Sequence, residues 1–311
     1  MIYNLKVIHG RFKMKYLPAL LSLILSSALV TPALTRAQTA NLNSETKPSN
    51  SLFRLSPDIS KRGFFSQDAE WFFSAGFNKA YYSTSNINVN QPSLGNNFSA
   101  VKVEGHDEFQ TPGLRTPDNW KVGRFIDDQK AWAVDLSLDH VKYTMTQGQT
   151  ALITGKITQV GALGTGNQNL NQNTFTYMLH NGLNHFMVDL IYREALIGSI
   201  NESSSLAFIG KLGTGLAIVH PENTIDNYSS DVGAKSITHD LGTNNGWWRI
   251  VGSSTGFDVG LRYVFKKPFY VELSDKSIYT NMRNIPVYQG SATQNLWSNE
   301  ITLNFGYTMG N

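Results

Sequence analysis

The chain of 311 residues contains no cysteine. It therefore has no disulfide, no thiolate nucleophile, no iron–sulfur cluster and no cysteine-ligated zinc, and it lacks the Cys to which a lipoprotein attaches its lipid. Charged residues are also scarce, at 16% of the chain against about 25% in an average soluble domain. The low charged fraction favours a protein with a large apolar surface, such as a belt that faces lipid.

Long hydrophobic runs are missing as well. The apolar stretch Leu17–Val30 spans only 14 residues, whereas a transmembrane helix needs about 20. Basic residues precede this stretch, and the small residues Thr35 and Ala37 follow it. A basic region, a short apolar region and small residues at a cleavage site are typical of a secretory signal peptide. We therefore predict a signal peptide over residues 1–37, cleaved near Ala37.

The formal net charge of +3 depends on this N-terminal segment. Five of the 26 basic residues lie in the first 37 positions, where no acidic residue occurs. Cleavage would leave 21 basic and 23 acidic residues, a net charge of −2. A binding surface for nucleic acid needs a basic excess, so we expect no nucleic-acid partner.

From residue 70 onward the apolar residues recur with a period of two, which indicates strands with two different faces. The segments that show this pattern are 70–82, 119–127, 131–145, 183–194, 205–219, 247–265, 269–279 and 296–309. Their connections are long and short in strict alternation. Such an even number of strands, with every long loop at one end, is typical of outer-membrane barrels.

We therefore predict an all-β protein, an eight-stranded antiparallel transmembrane β-barrel of the OmpA-type up-and-down meander. The barrel would span 70–311, with long external loops and short periplasmic turns, and 38–69 would be a periplasmic N-terminal segment. The expected location is the outer membrane of a Gram-negative bacterium. Expected partners are outer-membrane lipid, lipopolysaccharide, periplasmic chaperones and the barrel-assembly machinery.

The opposite face of each predicted strand carries the charge. If the apolar face is outward, the inward side chains include Asp135, Asp139, Asp189, Arg193, Lys211, Asp258, Arg262, Glu272, Lys276 and Glu300. The interior of an eight-stranded barrel is only wide enough for side chains, and buried charges must pair. This pattern predicts a closed lumen held by ion pairs, while a narrow gated channel is the alternative.

Histidines supply most of the candidate chemistry. The six that follow the signal peptide all fall in external loops or near outer strand ends of the predicted topology. Histidine beside a carboxylate suits acid–base work, and Lys can hold a phosphate as a point charge. The candidate catalytic residues are His140, His220 and Asp139. The candidate substrate-binding residues are Lys142, Asn181, His106, Asp107 and His180. The residues indicate no cofactor, although a divalent metal at the outer histidines would be compatible with them.

Three motifs resemble those of a family of eight-stranded outer-membrane proteins that includes the rhizobial lipid A oxidase. They are WAVDLSLDHVKY at 132–143, NGLNHFMVDLIYR at 181–193 and GKLGTGLAIVHPE at 210–222. The G-H-D element at 105–107 is similar to a loop motif of related barrels. This chain differs in having Asn181 in place of the usual Asp, and His-Pro in place of Pro-His. The resemblance implies His140, Lys142, Asn181 and His220 as site residues and an oxidase-like reaction on lipid A.

Two functional hypotheses follow. In the first, the outer histidines and Lys142 bind or modify lipid A, and would lie together at the level of the outer leaflet. In the second, the protein is a non-enzymatic surface barrel whose loops serve adhesion or envelope integrity. Whether the chain is an enzyme is left open by the residues alone.

Overall fold

The computed structural model describes residues 70–108, 117–158, 161–200, 202–231 and 248–310. The predicted signal peptide and the predicted periplasmic segment 38–69 lie outside these ranges. Among the described residues, no helix is long and apolar enough to cross a membrane.

The described residues form fifteen strands and one short 3₁₀ turn, Pro92–Leu94. In chain order, β1 to β15 are Trp71–Tyr82, Ser85–Gln91, Asn96–Val103, Gly105–His106, Asn119–Phe125, Trp132–Met145, Thr150–Lys156, Gly166–Asn169, Phe175–Ile197, Ser205–Val219, Glu222–Ile225, Tyr228–Asp231, Arg249–Lys266, Phe269–Val287 and Gly290–Met309.

Eight of these strands close into a ring in the order β1-β5-β6-β9-β10-β13-β14-β15, and β15 pairs again with β1. All ring pairings are antiparallel. Each ring strand coincides with one of the eight segments predicted from alternation, so the predicted eight-stranded barrel is confirmed.

Much of the length of the predicted long external loops is strand. β14 and β15 continue well past the predicted ends at 279 and 296 and join at a tight turn after Val287. The loops 83–118 and 146–182 contribute β2, β3, β7 and β8, which extend the sheet from β15 in the order β15-β2-β3-β7-β8. These segments alternate polar with apolar side chains. Their exposed faces carry Asn and Thr, which are also common in loops.

The apolar side chains of this external sheet cover the outer mouth of the barrel. Ile87, Phe98 and Ile153 of the external strands belong to one buried cluster with Leu183 and Val219 of the barrel wall. The interior of the barrel is thus apolar at its outer end. Burial of this apolar surface holds the external sheet in place.

The outer surface of the barrel carries a belt of exposed apolar side chains. It includes Phe73, Trp120, Leu136, Val188, Leu190, Leu212, Phe257, Leu273, Leu303 and Phe305. At one border, the Trp132 and Tyr192 rings lie 5.0 Å apart, and the Phe269 and Tyr307 rings 5.3 Å apart. Exposed apolar residues between aromatic borders are the expected surface of a barrel that spans a lipid bilayer.

Candidate functional site

The predicted site residues on β6 lie on two opposite faces of the strand. Asp139 is fully buried in the lumen, whereas His140 and Lys142 alternate with it and are half-buried on the outer face. The Asp139 carboxylate accepts a hydrogen bond from Lys276 Nζ at 2.6 Å. Asp139 therefore belongs to the lumen and does not orient the imidazole of His140.

The His140 ring is held by an amide instead. His140 Nδ1 lies 2.7 Å from Asn184 Oδ1, and Asn184 Nδ2 donates to the carbonyl oxygen of Ile218 at 3.0 Å. Because the amide oxygen accepts, this contact requires a proton on Nδ1. The Asn184 side chain thus links β6 and β10 across the strand between them and fixes the imidazole.

An irregularity in β9 creates the space for this amide. Val141 pairs with Leu183 and Tyr143 with Leu179, so β9 has two extra residues between the two pairs. Gly182 within the bulge has φ +141°, and a Cβ there would lie 2.3 Å from the amide nitrogen of Asn184. Glycine at 182 is therefore required by both the backbone and the neighbouring side chain.

The bulge also contacts the third motif of the resemblance, at 210–222. The backbone N–H of His220 donates to the carbonyl oxygen of Gly182 at 3.0 Å, and the His220 side chain is buried. The backbones of His180 and Asn181 lie in β9 beside this contact, and their side chains lie outside the described part of the structure. The backbones of His140 and His220 thus flank β9 from opposite sides, about two strand spacings or 10 Å apart.

Asp107 connects the outer ends of the barrel strands β1 and β6. The outer end of β5 is Asn119, so no strand lies between β1 and β6 from there until β4 pairs with β6 at Thr144 and Met145. The Asp107 carboxylate fills this place, because Oδ2 accepts the Ala80 N–H at 2.9 Å and Oδ1 accepts the Lys142 N–H at 3.1 Å. Lys79 Nζ donates to the Asp107 carbonyl oxygen at 2.6 Å. Asp107 therefore closes the seam between β1 and β6.

The remaining predicted residues lie around this seam. Lys142 Nζ is 3.3 Å from a carboxylate oxygen of Glu108, and the Lys142 side chain is 13% exposed. His106 pairs in register with Thr144, and its Nδ1 is 3.3 Å from Thr146 Oγ1. Thr144 is four residues beyond His140, which corresponds to about 13 Å along a strand. His106 therefore lies further from the membrane than His140.

The structure brings together His140, Lys142, Asp107 and the β9 bulge, which we call the outer-rim cluster. Among the described residues, no group of three His, Asp or Glu side chains could hold a metal ion. Asp139 faces the lumen, and His106 lies beyond the cluster.

All ten charged side chains predicted to face the lumen are buried. Glu272 accepts from Lys211 Nζ at 2.8 Å and from two guanidinium nitrogens of Arg262 at 2.6 and 2.9 Å. Ser137 Oγ donates to Asp189 at 2.6 Å. The structure adds Lys121 of β5 to this set, which the sequence missed because β5 is short and only weakly alternating.

A second group that the sequence did not single out lies at the outer limit of these charges. His185 Nδ1 is 2.8 Å from Ser254 Oγ, and His185 Nε2 is 3.5 Å from Glu300 Oε1. All three residues are fully buried. His185 alternates in phase with the inward Asp189 and Arg193, so strand phase alone could have placed it in the lumen. Its partners could not be predicted, because β13 and β15 are distant in sequence.

No protein-family model matches the chain, and no curated protein matches it either. Among solved structures, the chain is similar to outer membrane protein AlkL at 14% identity, over 86% of this chain and 98% of that one, with a TM-score of 0.35. Ail of Yersinia pestis matches at 12% identity over 78% and 99%, with a TM-score of 0.30. OprG from Pseudomonas aeruginosa matches at 10% identity over 78% and 97%, with a TM-score of 0.36.

Proposed function

We propose that this protein is an outer-membrane barrel, closed to solutes, that binds the phosphorylated headgroup of lipopolysaccharide at its outer-rim cluster. The observation that supports this proposal is that His140 and Lys142 lie on the lipid-facing side of β6. They follow the exposed apolar Leu136, and Lys142 is ten residues beyond Trp132. Ten residues of a tilted strand span about 25 Å, the height of a lipid-facing belt. Lys142 thus lies where headgroup phosphates of the outer leaflet are expected.

Glu108 sets the strength of this binding. Its carboxylate pairs with Lys142 and is 38% exposed, so a phosphate would compete with it for the ammonium group. Removing the carboxylate should therefore strengthen binding, and removing the ammonium should weaken it.

The test compares purified barrels in nanodiscs that contain lipid A with or without its phosphates. Lys142→Ala and His140→Ala should weaken binding of phosphorylated lipid A by about two- to fivefold, as for a partly exposed ion pair, and Glu108→Gln should strengthen it. Lys156→Ala is the matched control, because Lys156 is exposed on the external sheet. Equal affinity for both forms of lipid A, or no difference between Lys142→Ala and Lys156→Ala, would overturn the proposal.

Conversion of bound lipid A, which the resemblance implies, is the stronger form of this function. Mass spectrometry of lipid A from cells with and without the protein tests it directly. A mass change that His140→Ala abolishes would establish an enzyme, and unchanged lipid A would leave binding as the function.

One observation favours a second candidate, a surface-adhesion role. The register places Thr293, Asn88, Ser99 and Thr154 in one row across four strands of the external sheet. The row is uncharged, and its amides and hydroxyls suit neutral glycans. Binding of purified barrel to a glycan array, lost in Ser99→Asp and retained in Lys142→Ala, would support this role over lipopolysaccharide binding.

A further inference from the structure

A polar patch interrupts the lipid-facing belt on β14 and β15. Asp275 is in phase with the outward Leu273, whereas its neighbour Lys276 points into the lumen. In register, Asp275 pairs with Val259 on one side and with Ile301 on the other. A carboxylate therefore lies between apolar residues on the outer wall.

Asp275 lies too deep in the lipid-facing belt to reach the headgroup region. The aromatic borders of β14 are Phe269 and Tyr279, and the Tyr279 ring packs 5.2 Å from that of Trp297. Asp275 is six residues from Phe269 and four from Tyr279, which is about 15 and 10 Å across a tilted strand. Carboxylates at this depth on a lipid-facing surface destabilise a barrel, so a partner group is expected.

In the described part of the chain, one oxygen of the Asp275 carboxylate lacks such a partner. Asp275 Oδ1 is buried and has no hydrogen-bond partner among the described residues. The nearby Asn299 Nδ2 donates to Ser277 Oγ at 2.7 Å, and the two residues pair in register. Asn299 remains exposed, so its amide oxygen and second N–H face outward.

We propose that this patch is the interface of a homodimer within the membrane. An amide both donates and accepts, so Asn299 can pair with the Asn299 of a second copy about a two-fold axis. Polar groups of this kind hold membrane proteins together where apolar contact gives no preference over lipid. The interface thus centres on β15.

Charge is also complementary about such an axis. In register, Ile301 lies between Asp275 of β14 and Lys79 of β1. A two-fold axis at Ile301 would bring β14 of one copy opposite β1 of the other, so Asp275 would approach Lys79 of the second copy. Lys79 already contacts Asp107 within its own chain, and would share its ammonium between the two carboxylates.

The absence of cysteine makes this interface directly testable. Ile301→Cys would be the only thiol in the chain, and oxidation in native membranes should link two copies into a covalent dimer. Val188→Cys is the matched control, because Val188 is 49% exposed on β9, which is opposite β15 in the ring. Crosslinking at Ile301→Cys that does not exceed that at Val188→Cys would overturn the dimer.

Second variants identify the groups that hold the dimer. In the Ile301→Cys background, Asp275→Leu and Asn299→Leu should each lower the dimer fraction, with association weakened about three- to tenfold. Both replacements place an apolar side chain against lipid, so a heat-modifiable gel band should show that the barrel still folds. Unchanged crosslinking in both folded variants would contradict the assignment of these residues.

Discussion

At the scale of single residues, buried charges decide how the lumen is filled. Glu272 is the clearest case, since one carboxylate receives the ammonium of Lys211 and the guanidinium of Arg262. Asp107 plays a similar part outside the lumen, where it replaces a missing stretch of strand with two carboxylate oxygens. Replacing either carboxylate would leave several hydrogen-bond donors without their acceptor.

Glu272→Gln should destabilise the barrel strongly. It removes the negative charge from three buried cations, Lys121, Lys211 and Arg262, and breaking a buried ion pair from one side costs about 3–5 kcal/mol. Urea unfolding in detergent micelles measures this loss. Glu202→Gln is the control, since Glu202 is exposed and should change the free energy of unfolding by less than about 0.5 kcal/mol. Similar values for both variants would argue against the ion-pair network.

Asp107 should make stability depend on pH. Burial raises the pKa of Asp107 above its ordinary value, although the N–H groups of Ala80 and Lys142 and the Lys79 ammonium oppose this. A carboxyl group with a raised pKa stabilises the fold fully below about pH 4, its ordinary pKa, and this contribution is lost as the pH rises through the raised pKa.

Asp107→Asn does not titrate, so it supplies the reference. The free energy of unfolding of the wild type should fall relative to that of Asp107→Asn as the pH rises from about 4. Parallel pH profiles for the two proteins, or a difference of the opposite sign, would show that Asp107 is not buried as described.

At the scale of elements, the extensions of β14 and β15 distinguish this chain from a barrel with open loops. Ile285 pairs with Ala292, and Val287 pairs with Gly290. All four residues are buried or half-buried, and Ile285, Val287 and Ala292 belong to the buried cluster under the external sheet. The same segment was predicted to be a loop, so its behaviour separates the two descriptions.

Ile285→Ala should cost about 2–5 kcal/mol in local stability, as for a buried aliphatic side chain in a core. Hydrogen exchange of the 282–296 amides measures this cost, and in the wild type these amides should exchange on the order of 100-fold more slowly than open chain. Arg283→Ala is the control, because Arg283 is exposed on the same strand. Rapid exchange in the wild type would restore the loop prediction.

At the scale of the whole molecule, two layers close the barrel. Ion pairs fill the lumen of the membrane-spanning part, and an apolar core covers its outer end. A narrow gated channel, the alternative from the sequence, would require both the ion pairs and the apolar core to separate. Both proposed binding surfaces accordingly lie outside the lumen, on the outer wall and on the external sheet.

The purified protein should accordingly show no steady ion conductance in planar bilayers. Paired charges leave no continuous aqueous path, and an apolar core excludes ions. Recordings at high salt, with a known porin as the positive control for insertion, test this. A stable single-channel current would contradict the closed lumen.

The sequence by itself determined the strands and their two faces. Alternation is a local property, since neighbouring side chains in a strand point to opposite sides, so His140, Asp139 and all ten lumen charges could be placed from their order along the chain. The eight-stranded count and the barrel class followed from the same pattern. The external strands were missed because exposed Asn and Thr occur in loops and in solvated strands alike.

Only the tertiary structure decided which residues meet. Contacts such as His185 with Ser254, or Asp107 with Ala80, join strands that are distant in sequence, and they depend on register and on closure of the ring. A shift of register by one residue would exchange the lumen and lipid faces of a strand. The outer-rim cluster and the polar patch at Asp275 therefore exist only through the pairing of strands, whereas the residues that compose them could already be read from the chain.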